Sequence, residues 1–250
     1  MKKRLRGVYF FVSSIIIALL HFPFASAKNA SGIKLSKVTT NDSAHKITID
    51  VAPASPPVTS VYDSLHLEMM GLSRLAYEFA RKGLKRLINQ GKIVSQSVIS
   101  VIDFSLPGNK KRLFVIDLNN YSILFNTYVA HGRNTGRERA YSFSNQHSSY
   151  KSSPGFYITK ETYHGKHGLS LKLEGLERGI NDNAYDRGIV IHGAHYVSES
   201  IANTQGYVGR SEGCPAVPEQ LSTPIINAIK NGTCVFIYHP SYINRSAILD

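Results

Sequence analysis

Cysteine is nearly absent from this chain. Its 250 residues hold only Cys214 and Cys234, too few for a disulfide scaffold, and a chain of this length buries a core that needs no staple. Metal signatures are missing as well. His164 and His167, or His192 and His195, form neither an HExxH nor a Cys–Cys–His–His spacing, and no carboxylate completes a set, so neither metal nor cofactor is expected. Lys and Arg are dispersed, with no basic run interleaved with aromatics, which argues against nucleic acid as a partner. The one long apolar run, Val8 to Leu20, is broken by Ser13 and Ser14 and falls short of the ~20 residues of a membrane span.

What is there opens with an export leader. Lys2, Lys3, Arg4 and Arg6 precede the apolar run, and Ala25-Ser26-Ala27 follows it with small residues where a signal peptidase cuts. Residues 1–27 are therefore expected to be a signal peptide, the only part to meet a membrane, and the protein to act in the periplasm or cell wall. Losing the leader lowers the formal charge from +12 to +8, since it carries four basic and no acidic residues. A basic exported protein tends to settle on anionic surfaces such as wall polymers. Residues 28–60, polar and then proline-rich (VAPASPPVTS), read as a linker, with KITIDV at 46–51 as the competing strand.

Residues 61–245 are expected to form one catalytic domain, mainly β with flanking helices. From Asp63 to Gln90 the apolar period is helical, giving one helix or two broken near Gly71 or Gly83, capped at Asp63 and stopped at Gly91. Strands are expected at SVISVIDF (97–104), RLFVIDL (112–118), 121–130 and PGFYIT (154–159), with a two-residue hairpin at Asn119-Asn120. His131–Asn134 reads as a solvated loop, with a position bordering the cleft as the alternative, and 134–153 as a long polar surface loop of the functional kind. The Gly- and His-rich stretch around HGKHG (164–168) reads as a cleft-lining loop. A helix capped by Ser222 and ended by Gly232, then a closing strand Val235–Tyr238, complete the domain.

The two cysteines differ in setting. Cys234 lies in CVFIY, a buried-strand pattern, while Cys214 sits between Gly213 and Pro215 in a Gly- and Ser-rich loop. They either pair or leave Cys214 as a working thiol, and the asymmetry favours the second. Upstream, IVIHG delivers His192 from the end of an apolar strand into a loop. A thiol and an imidazole, each where a regular element meets a loop, are the parts of a nucleophile–base pair.

At GIVIHGAHYV…GRSEGCPAVP, together with RLFVIDL, TYVAHG, SSPGFYIT and YHGKHGLSLKLEGLERGINDNA, the chain resembles the murein L,D-transpeptidase (YkuD) family. The likeness is to a branch with an S-x-G-C-P-A motif. The resemblance implies an L,D-transpeptidase-like β-sandwich fold, Cys214 as nucleophile, His192 as base and peptidoglycan stem peptides as substrate. The bond cleaved would join the L-centre of a diamino acid to a terminal D-Ala, through a thioester passed to an amine. Water as acceptor would make it an L,D-carboxypeptidase. A disulfide between the cysteines would leave a non-catalytic wall-binding module.

The motif departs from better-known members, which carry histidine two residues before the cysteine and often Asn or Arg two after. Here these positions are Glu212 and Ala216, so Arg210 or His195 is the candidate to tune the thiol. Pro215 has no N–H, so the oxyanion must draw on Gly213, Cys214 or another loop. Tyr157, Arg210 and Ser211 are candidates for substrate contact.

Overall fold

The computed structural model describes residues 60–250. The expected leader, the linker as far as residue 59 and the competing strand at 46–51 lie outside the described residues.

Eight strands form one hydrogen-bonded sheet: β1 (Val98–Asp103), β2 (Leu113–Asp117), β3 (Ser122–Thr127), β4 (Gly155–Gly165), β5 (Gly168–Gly175), β6 (Val190–Ala194), β7 (Ala216–Pro218) and β8 (Cys234–Tyr238). The spatial order is β3-β2-β1-β8-β4-β5-β6-β7. The β1–β8 and β6–β7 pairs are parallel and the others antiparallel. The period of two sorts the core residues onto two faces. Ile99, Val101, Phe114, Ile116, Phe156, Cys234 and Phe236 face a core shared with the helix α2 (Arg74–Asn89). Their alternates Val98, Ile102, Leu113, Val115, Tyr157, Val235 and Ile237 face a second core.

That second core also takes Leu171, Leu173, Ile191 and Val217 from the far half of the sheet, and Ile225, Ile226 and Ile229 from α4 (Glu219–Ile229). Both halves of the ladder thus wrap one helix, and three residues beyond β3 the Ala130 N–H donates to the carbonyl of Ala216 in β7 at 2.8 Å. The two edge strands meet there, giving the mainly β, sandwich-like layout with flanking helices expected from the sequence. Fully burying each large apolar side chain contributes about 1.5–3 kcal/mol.

Several local readings are corrected. The 63–90 segment is α1 (Val61–Ser64), capped by Ser60, a break at Gly71 (φ +89°), then α2 capped by Ser73. Asp63 instead pairs with Arg74, and Gly83 lies inside α2, where a Cβ would collide with the Phe156 ring. The β2–β3 turn spans four residues, 118–121, because the Asp117 carboxylate accepts from the Asn119 and Asn120 amides at 2.9 and 3.0 Å. Residues 160–175 are no loop: β4 runs on into a hairpin with β5, and only Lys166-His167 form its tip. Ser222 lies within α4, whose N-cap is Pro218, and a further helix, α3 (Glu199–Gln205), stands between β6 and β7. The last strand, β8, is the sheet's middle rather than its edge, since its five residues are buried throughout. Ile248 and Leu249 are buried in the first core, so packing continues past residue 245. Among the described residues no helix is long and apolar enough to cross a membrane.

Candidate active site

Within β6, Ile191 points into the second core, and Val190 and His192 point the other way, into a cavity of about 670 Å³ that Ile189, just before the strand, also lines. β7 lies parallel to it with Ala216 opposite His192, so Cys214, two residues earlier, arrives at the same cavity. A second support comes from residues 130–133, which run beside the nucleophile loop. Ser211 N–H donates to the His131 carbonyl at 3.0 Å, and Arg133 N–H to the Ser211 carbonyl at 2.8 Å. Ser152 Oγ then ties the two segments, accepting from Gly132 N–H and donating to the Gly213 carbonyl, each at 3.0 Å. Gly213 has φ +127°, and a Cβ there would stand 2.9 Å from the Lys151 carbonyl oxygen, so this position accepts only glycine without strain.

The His192 Nδ1 lies 2.9 Å from the Gly193 carbonyl oxygen. A carbonyl can only accept, so Nδ1 carries the proton and Nε2 keeps its lone pair. Burial lowers the His192 pKa below its ordinary value; the Gly193 carbonyl partly offsets this, and nearby His167 and Lys166 add to it. Burial raises the Cys214 thiol above its ordinary value, eased by Val190 N–H and by the charges of Arg187 and Lys166, while Glu212 adds to the rise. The resting pair is thus neutral. Sulfur's own partners are Val190 N–H at 3.5 Å and the Gly188 carbonyl at 3.7 Å, and among the described residues no hydrogen bond joins it to His192. Catalytic contacts of this kind often tighten only once substrate displaces the resting partners.

The other candidates divide. Arg210 lines the cavity and donates to the Arg133 carbonyl at 3.3 Å. Ser211 is buried, and its hydroxyl donates to the Cys214 carbonyl at 2.6 Å while accepting from Gly213 N–H at 3.1 Å. Its hydroxyl is thus engaged in building the loop, while the residue also lines the cavity. That bond also occupies the Gly213 amide, whereas the Cys214 amide has no acceptor among the described residues. Tyr157 does not reach the cavity: it is fully buried in the second core, its hydroxyl donating to the Ser153 carbonyl. His195 lies in the turn just after β6, exposed, edge-on to Tyr196 and away from the cavity lining. His167, at the hairpin tip, is instead the imidazole at the site, stacked on His192 with ring centroids 4.4 Å apart. The two cysteines are free, Cys234 deep in the first core, which removes the disulfide reading. Among the described residues no three His, Cys, Asp or Glu side chains converge as metal ligands.

Two residues at the site escaped the sequence. Arg187 lines the cavity and pins the polar 144–153 loop. His131, expected in solvent, is buried behind the nucleophile loop. Arg112 Nη2 donates to its Nδ1 at 2.8 Å, and its Nε2–H donates to the Gly136 carbonyl at 3.2 Å. Burial and the Arg112 charge lower its pKa to about 3. The folded state thus excludes a proton that the unfolded chain binds below about 6.5, so His131 supports the fold above that pH and loses that support as pH falls toward about 3. Melting temperature is expected to drop by about 10 °C between pH 7 and 4, and His131→Gln to flatten that slope; an unchanged slope in the variant would exclude His131 as its source.

The sequence profile of the YkuD_2 L,D-transpeptidase catalytic domain matches residues 68–238, a span that includes every strand and the whole site. The chain belongs to this family. The L,D-transpeptidase family assignment agrees with the resemblance carried by the Cys214 and His192 motifs. Among solved structures the chain is similar to an L,D-transpeptidase from Mycobacterium smegmatis (11% identity, 57% of this chain and 59% of that one, TM-score 0.36). It is also similar to the helical cell shape determining protein Pgp2 from Campylobacter jejuni (12%, 57% and 48%, TM-score 0.39) and to Bd1075 from Bdellovibrio bacteriovorus (17%, 57% and 48%, TM-score 0.36). It spans about three fifths of the length of the first of these. No curated protein matches.

Proposed function

We propose that the protein is a peptidoglycan L,D-transpeptidase that works through a Cys214 thioester. One observation carries this: a free thiol and an imidazole whose Nδ1 is fixed by a carbonyl open onto one cavity, in a member of the L,D-transpeptidase family. His192 Nε2 takes the proton from Sγ, and the sulfur attacks the carbonyl carbon of the diamino acid–D-Ala amide. The oxyanion that forms is met by the Cys214 N–H, the donor the loop leaves unused. Collapse breaks the C–N bond, the imidazolium returns its proton to the departing D-Ala amine, and a thioester remains. An amine of a second stem then attacks the thioester and regenerates the thiol. The lining suits such a peptide, since Arg133, Lys166 and Arg210 offer charge to its carboxylates and Tyr150, Tyr163 and Tyr196 offer apolar faces. In this reading the leader at residues 1–27 exports the protein to the periplasm or wall, where the substrate is.

The test is incubation of the purified protein with tetrapeptide muropeptides, followed by mass spectrometry. The expected products are free D-Ala and a cross-linked dimer. D-Ala with tripeptide alone would make it an L,D-carboxypeptidase, and no product with retained binding to sacculi would make it a wall-binding module.

A further inference from the structure

The mechanism leaves one question to the cavity: what stabilises a sulfur anion formed in a site that burial makes unfavourable for charge. The charged and titratable groups that share the cavity with Cys214 are His192 on β6, Tyr163, Lys166 and His167 on the β4–β5 hairpin, Arg210 and Glu212 on its own loop, Tyr196 after β6, Asp186 and Arg187 before β6, and Arg133, His147 and Tyr150 between β3 and β4. The charges that bear on the thiol most are those of Arg187, Glu212 and Lys166. Glu212 has the wrong sign and pairs outward with Arg133 at 3.7 Å. His192 is held neutral, and Lys166 projects from an exposed tip.

Arg187 differs from all of these. It is half-buried, and its two terminal nitrogens make four hydrogen bonds. Nη1 donates to the Ser144 carbonyl (2.9 Å) and Ser153 Oγ (2.7 Å), and Nη2 to the Lys151 carbonyl (2.6 Å) and Ser149 Oγ (3.3 Å). Every acceptor is neutral, and among the described residues no carboxylate pairs with it. The guanidinium is thus immobile while its charge stays uncompensated, an arrangement that favours an anion nearby. It also lies against the nucleophile loop, since a Cβ on Gly213, the residue before the nucleophile, would be 3.4 Å from Nη2.

We propose that Arg187 is a positioning residue whose fixed charge stabilises the Cys214 thiolate as His192 takes its proton. The electrostatics agree in sign on both partners: Arg187 lowers the thiol pKa, and Cys214 raises that of the guanidinium, each against a larger effect of burial. The four hydrogen bonds serve the same end, because they prevent the guanidinium from swinging out to solvent, where its field would be screened.

This inference rests on Cys214 being the nucleophile. Its test reads the thiol directly, so the two fail separately: turnover by Cys214→Ala would overturn the enzymatic reading and leave the alkylation result standing. The experiment follows the rate of iodoacetamide alkylation against pH for the wild type, Arg187→Met, Arg187→Lys and Ser149→Ala, with Cys214→Ala as the blank for Cys234. Arg187→Met is expected to move the midpoint upward by about one pH unit and slow alkylation about tenfold at pH 7. Arg187→Lys, which keeps the charge but cannot make four bonds, is expected to stay within about threefold of the wild type. Ser149→Ala, which removes one pin and no charge, is expected to keep the midpoint. A shift in Arg187→Lys as large as in Arg187→Met, or one in Ser149→Ala, would show that loop pinning governs the thiol and would overturn the proposal. If Arg187→Met does not fold, Arg187→Gln, which also removes the charge, takes its place on the same criteria, and an unshifted midpoint in the charge-removing variant would overturn the proposal.

Discussion

Cys214→Ala is expected to abolish release of D-Ala from tetrapeptide muropeptides while leaving the melting temperature within a few degrees of the wild type. The thiol contributes little to packing, since its partners are one strand amide and one carbonyl at long sulfur distances. Removing the base should be less complete. His192→Gln preserves size and the donor toward the Gly193 carbonyl but cannot take a proton, and should lower kcat/KM by about 10²–10⁴-fold. The pH profile separates base from ornament. Because burial holds the His192 pKa below its ordinary value, the acid limb of kcat/KM should fall below pH 6.5 and vanish in His192→Gln. A profile unchanged by that substitution would remove His192 from the reaction. Turnover persisting in Cys214→Ala would remove the thioester altogether.

How much of this could be read from residues alone follows from what each feature depends on. Strands β1, β2, β6 and β8 were legible because near-continuous runs of Val, Ile, Leu and Phe report strands buried on both faces, a local property. That Cys214 and His192 would share one site was legible because each sits in a short segment with its own punctuation, glycine and proline on one side and a strand end on the other, and both line the same cavity. The errors share a cause in long-range packing. The end of β4, residues 160–165, is polar and exposed and gives no apolar alternation, so the Leu169, Leu171, Leu173 alternation of its partner β5, which does face the second core, went unread as a strand. His131 looked solvated because nothing adjacent in sequence reveals Arg112, nineteen residues upstream and fully buried. His195 stood beside Arg210 as a candidate to tune the thiol, yet it falls in the exposed turn after β6, and a hairpin tip brings the more distant His167 to the site. Arg187 gave no signal, because its partners are four residues of the 144–153 loop that only the fold brings to it.

Arg112→Met should be the costliest single substitution for stability. The Arg112 side chain has no exposed surface, and its guanidinium donates to the Val129 carbonyl from Nε and Nη2 (3.1 and 2.9 Å), to the Leu106 carbonyl (2.9 Å) and to His131 Nδ1 (2.8 Å). Burial lowers its pKa to about 9, with Asp103 opposing that shift, so it remains charged at neutral pH. Methionine fills most of the volume but leaves three acceptors without donors and Asp103 without its cation, a loss of about 3–5 kcal/mol, or roughly 10 °C in Tm at this size. The damage should also reach the active site, because the His131 carbonyl holds Ser211 N–H and Ser211 Oγ holds the Gly213 amide and the Cys214 carbonyl. At a temperature where the variant is still folded, kcat should therefore fall more than KM rises, as expected when the nucleophile is less well placed. Arg112→Lys keeps the charge with a single point of contact and should recover part of the stability and less of kcat. Equal recovery of both would mean that charge alone matters at this position, and that the forked hydrogen bonds to Val129 and His131 do not set the geometry of the Cys214 loop.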